Sequence, residues 1–207
     1  MVSAPLLLLA LLALLAPPAP PIRVVPLRIT IAQGPAGPVA PTTFVDAQVR
    51  AANEIFAPHR LRFDAVVRAA PGTTEVVSRA DRDAWISQVG ASAKGSIEVF
   101  VVARLMDVDE PGRVRRGVHW RERKRGRSTG RRGILLAAYA GPSILAHELG
   151  HALGHPGHTE LEDDLMSYRR TGTRLPTLRP AIGRLMYGTA RAAGARPEAL
   201  DAARAHP

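Results

Sequence analysis

The chain has 207 residues, of which 46% are hydrophobic and 22% charged; this fits one globular domain with a real core and excludes a disordered polyelectrolyte. It contains no cysteine, so disulfide scaffolds and thiolate metal sites are excluded and any metal ligand must be His, Asp or Glu. The formal net charge of +10 is concentrated between Arg113 and Arg132, where ten Lys or Arg residues stand against one acid, Glu122.

At the N-terminus an apolar run covers residues 6–16. It is shorter than the roughly 20 residues that span a bilayer and has the length of the apolar part of an export signal. Residues 1–21 are therefore expected to be an export segment and 22–207 a single domain, secreted or periplasmic, monomeric and without a transmembrane helix. Residues 23–32 alternate and are β-branched, which predicts a first strand. After a Gly/Pro loop at 34–41, Thr42 or Thr43 is expected to cap a helix reaching residue 57, with Phe44, Val45, Val49, Ala52 and Phe56 as its apolar stripe.

Pro58 ends that helix, and 61–68 predicts a second strand. A short helix is expected over 81–89, burying Trp85 and Ile86, followed by the most strand-like run, 96–102. Residues 114–121 predict an edge strand whose charges deter unwanted pairing. The continuous apolar run 133–140 predicts a central strand. Gly141 and Pro142 then introduce a helix rich in histidine, an acidic loop at 160–164, and helical stretches near 179–193 and 197–205. This order predicts a mixed α/β (α+β) domain: a mixed twisted sheet packed against an N-terminal helix and an active-site helix, with a smaller, mostly helical C-terminal part.

The basic segment has two readings. It is either a solvated strand edge and loop or a surface attracted to an acidic polymer. Trp120 is its one aromatic residue, which gives little support to base stacking.

Four histidines fall between His147 and His158. At about 100° per residue, His147 and His151 share one helix face while Leu145, Leu149 and Leu153 gather on the opposite one. Glu148 lies beside the imidazole face, placed to reach a metal-bound water without being a ligand. In the His-Glu-x-x-His arrangement two histidines bind zinc and the glutamate is a general base. On an unbroken helix His155 would stand about 12 Å from His147, too far to share an ion. Gly154 permits a turn, after which His158 has the reach to be the third ligand, with His155 its neighbour and alternative. A downstream acid, Glu160 or Glu198, is the rival third ligand.

His147, Glu148, His151 and Gly154 match in register the pattern of the metzincin zinc peptidases, which this stretch resembles. The family's last histidine falls on Gly157, and His158 comes one residue late. Met166, eight residues after His158 within Leu165-Met166-Ser167-Tyr168, looks like the family's methionine turn. The resemblance covers residues 141–168 closely. It implies a zinc metalloendopeptidase acting on peptide or protein substrates, with Met166 beneath the metal and Tyr168 binding zinc or stabilising the reacting oxyanion. Another function class stays open: an exported basic protein that binds a polyanion on the same scaffold, with little or no peptidase activity. His59 and His119 are expected to be structural or exposed, and the acidic run a solvated loop.

Overall fold

The computed structural model describes residues 21–89, 95–155 and 157–168, with the backbone of 196–197. The expected export segment up to residue 20 and nearly all of the expected C-terminal helices lie outside the described residues.

A mixed sheet organises the molecule. β1 (Arg23–Gly34) pairs in parallel with β3 (Leu61–Pro71) on one side and with β5 (Ile97–Val102) on the other. β5 pairs in parallel with β8 (Arg127–Ala137), and β8 pairs antiparallel with the edge strand β7 (Gly117–Lys124). The main order is thus β3-β1-β5-β8-β7. Short strands β2 (Gly37–Pro38) and β9 (Arg196–Pro197) add to β1, and β4 (Glu75–Val76) pairs with β6 (Arg104–Leu105) apart from the sheet.

Every residue of β5 is buried, as a parallel strand covered on both faces must be. Alternation along β8 sends Ile134 and Leu136 to one core and Leu135 and Ala137 to the other. The first core lies under α1 (Thr42–Phe56) and α3 (Ile144–Ala152); the second lies under α2 (Arg79–Ser87), around Trp85 and Phe100. Each fully buried Leu or Phe in these layers contributes about 1.5–3 kcal/mol.

Two helix starts differ from the expected ones. Pro41 is the N-cap of α1 and no side chain caps it. Pro pre-sets the extended φ of that position, so Thr42 lies inside the helix. Helix α2 begins two residues early because Ser78 and Asp81 form a reciprocal capping box: the Ser78 hydroxyl accepts from the Asp81 N–H, and Asp81 accepts from the Ser78 N–H at 2.8 Å. Among the described residues no helix is long and apolar enough to cross a membrane.

Candidate metal centre

Helix α3 is stabilised from outside its own sequence. Ser143, its N-cap, makes no side-chain cap. The buried Gln48 of α1 supplies one instead: its Oε1 accepts the Leu145 N–H at 3.1 Å and its Nε2 donates to the carbonyls of Ala140 and Gly141 at 3.1 and 2.9 Å. One amide thereby satisfies an orphan donor of the helix start and fixes the strand-to-helix turn. At the other end Gly154 has φ +103°. The His155 N–H bonds the Gly150 carbonyl and the Gly154 N–H bonds the His151 carbonyl, the paired bonds of a Schellman stop. Leu145, Leu149 and Leu153 are fully buried in the core, which turns the imidazole face of the helix outward.

Beyond Gly154 the chain returns under α3. Met166 is fully buried, and a Cβ on Gly150 would lie 2.6 Å from its Sδ; the glycine lets the methionine seat directly beneath the helix. Asp164 pins this turn. It accepts from the Met166 N–H at 2.8 Å and from the Thr159 hydroxyl at 3.1 Å. Asp164 was expected in a solvated loop, yet it is 1% exposed, because two local donors must share its carboxylate. Glu160, Glu162 and Asp163 are exposed as expected.

The histidines converge. His158 Nε2 lies 3.2 Å from His147 Nε2 and 3.3 Å from His151 Nε2. A tetrahedral zinc with metal–nitrogen distances of about 2.0–2.1 Å spaces its nitrogens about 3.3–3.4 Å apart, so the donor set fits such an ion. Among the described residues no other group of three His, Asp or Glu brings its donor atoms together in this way. His147 Nδ1 lies 2.7 Å from the Leu165 carbonyl. Donation there fixes the tautomer and leaves the Nε2 lone pair for a metal. Burial first, and then the neighbouring His158, holds the His151 pKa down to about 4, so its ring is neutral near pH 7, the coordinating form. His155 turns to the Gly157 carbonyl instead. Tyr168 is exposed and stacks on the His158 ring, centroids 3.8 Å apart.

Glu148 is buried, between the histidines and the edge strand. A Cβ on Gly117 of β7 would lie 2.9 Å from Glu148 Cγ and 3.0 Å from its Oε1, so the carboxylate occupies the space that a side chain at 117 would take. The open cleft between α3 and β7 has a volume of about 830 Å³ and includes His147, Glu148, His151, His158 and Tyr168 in its lining. The predicted edge strand is real but starts at Gly117, three residues late: Arg115 is engaged by the carboxylate of Asp107 and its N–H by the Leu105 carbonyl.

His119, expected to be structural or exposed, lines the cleft as well. Burial, followed by the charges of Arg121, His151 and Arg132, lowers its pKa to about 3. Gly117 and Gln48 escaped the sequence reading, as did the place of His119 in the cleft. For Gly117 a signal existed in retrospect: it is a glycine inside a strand pattern, which marks close approach of another group.

No protein-family profile matches the sequence, and no curated protein matches it. In three dimensions the chain is similar to the metalloproteinase-II from Bacteroides fragilis, with TM-score 0.56 and 12% identity over 84% of this chain. It spans 55% of the length of that structure. The likeness is one of fold, a mixed α/β domain; in this chain that fold carries a histidine triad able to bind a metal.

Proposed function

We propose that this chain is a zinc-dependent metalloendopeptidase of the metzincin kind, with His147, His151 and His158 as ligands and Glu148 as general base. The observation that carries the proposal is the convergence of three imidazole nitrogens, with His158 at tetrahedral spacing from each of the other two, beside a buried glutamate. Three neutral imidazoles suit zinc and leave a fourth position open. A zinc ion there supplies a Lewis acid and draws the pKa of water down to about 7.

The remaining chemistry belongs to the protein. Glu148 takes the proton of the attacking water and returns it to the leaving amide nitrogen. Tyr168, positioned by its stack on His158, offers a hydroxyl to the developing oxyanion. Met166 supports the ligand helix from below. The outer edge of β7, unpaired among the described residues, accepts an extended peptide by strand addition.

Glu148→Ala is expected to bind zinc as the parent chain does and to lose cleavage of a peptide library by at least about 10²–10⁴-fold, whereas His151→Ala loses both; metal analysis beside the digest distinguishes them. Full cleavage by Glu148→Ala would overturn the mechanism. Unchanged zinc affinity in His158→Ala would overturn the ligand set in favour of a downstream acid.

A further inference from the structure

Beyond Arg121 the edge strand leaves the globule. Every residue from 123 to 132 is exposed, so the outer half of the β7–β8 hairpin has water on both faces. Arg125 and Gly126 at its tip have positive φ, 51° and 77°, and make the two-residue turn that matches strand twist. Its one acid, Glu122, is 1% exposed. It accepts from the Thr129 hydroxyl at 2.6 Å and sits 3.7 and 3.8 Å from Arg131 and Lys124. That carboxylate holds the two strands together and neutralises little else. Arg116, Arg121, Arg123, Arg125, Arg127 and Arg132 have no carboxylate partner among the described residues.

The register compounds the charge. Arg121 stands directly opposite Arg132 and Lys124 opposite Arg127. Like charges in directly opposed positions destabilise a strand pair, and an exposed two-stranded ribbon has little stability to spare. Protection against edge-to-edge association does not require this arrangement, since a few charges on β7 alone would achieve it. The hairpin is organised as an unneutralised cationic ribbon, and Arg121 carries its charge into the metal cleft, where it lines the wall beside His119.

We propose that the β7–β8 hairpin is a docking arm for an acidic stretch of the polypeptide substrate, so that the chain prefers peptides with a run of Asp or Glu close to the cleaved bond. A polypeptide is favoured over other polyanions because the same strand is continuous with the cleft. A chain paired by its backbone along β7 near Gly117 is led on toward the arginines, across the register shift between Arg121 and Arg123, and its side chains come within their reach. A polysaccharide has no such backbone pairing to offer. This inference rests on the peptidase reading for the cleavage it directs, but the docking is measurable without cleavage.

The test uses the full chain carrying Glu148→Ala and labelled synthetic peptides with a Glu run at either end of a neutral segment, each paired with its Gln counterpart. At low salt a Glu peptide is expected to bind about tenfold more tightly than its Gln counterpart, and the gap should close as salt rises. The hairpin variant Arg123→Gln, Arg125→Gln, Arg127→Gln is expected to abolish the gap while its melting temperature holds or rises, because opposed charges are relieved. Equal binding of both Glu peptides and their Gln counterparts overturns the inference, as does a gap that survives the hairpin variant. Tight binding of a sulfated polysaccharide with none of an acidic peptide also overturns it and assigns the arm to that polymer. A parallel digest with the unmutated chain separates the two readings. Acidic peptides bound but never cut sink the peptidase and leave the arm, whereas neutral peptides cut with no acid preference sink the arm alone.

Discussion

Helix α3 with the turn at Met166, and the β7–β8 hairpin, treat charge in opposite ways. Around α3 the groups that fix the helix and its turn are buried and satisfied: Gln48, Asp164 and the Nδ1 of His147 each have partners at hydrogen-bond distance. In the hairpin most cations are exposed and unneutralised. The first region spends its hydrogen bonds on fixing one geometry to within tenths of an ångström, which a coordination site demands. The second leaves its charges to water and to whatever anion arrives, which suits recognition by long-range attraction. Removing a group should accordingly be costly in the first region and nearly neutral or stabilising in the second.

The contrast breaks most sharply at Gln48. Gln48→Leu leaves the Leu145 N–H and two carbonyls without their partner, and about 3 kcal/mol of stability should be lost; a denaturant midpoint unchanged from the parent would remove the clamp from the account. Asp164→Ala frees the turn that presents the Leu165 carbonyl to His147. Zinc affinity is expected to fall about 10–100-fold, read by competition with a chromogenic chelator. At the boundary of the two regions, Gly117→Ala pushes Glu148 and Ile144 aside. With zinc still bound, kcat should drop about tenfold or more, since small misplacements of a catalytic group are costly. The smallest effect belongs to the hairpin: Arg132→Glu converts an opposed like pair into an opposite one and should raise stability by about 0.2–1 kcal/mol. A loss there would show that the opposed cations are not in repulsion.

Legibility divides along the same line. Among the described residues, β1, β3 and β5 and the three helices followed from apolar runs and periodicity to within a few residues at their ends, whereas β8 did so only for its apolar inner half: it starts at Arg127 rather than at 133, in a stretch whose exposed cations carry no apolar signal. In the site, His147, Glu148 and His151 are local: four residues of one helix turn put them on adjacent faces, whatever surrounds the helix. His158 was chosen over His155 by chain reach and by its spacing to Met166, and its Nε2 does lie with the other two. Asp164 was misjudged because a run of acids looks solvated until two local donors single out one member. Gln48 was invisible for a plainer reason: its partners lie 92 to 97 residues away along the chain, and no local pattern distinguishes a glutamine that clamps from one that faces water.

What the sequence alone determined is the chemistry on offer: imidazoles without thiolates, a carboxylate one residue from the first histidine, a glycine able to stop the helix, and a segment dense in arginine. These depend on composition and on short-range geometry, which the backbone fixes within a turn or two. The tertiary structure alone decided which of these groups meet. Whether three nitrogens share a point, whether Gly117 yields its space to Glu148, and whether the cationic strand is continuous with the cleft are matters of packing between elements far apart in the chain. Such contacts form only when the whole core closes around them.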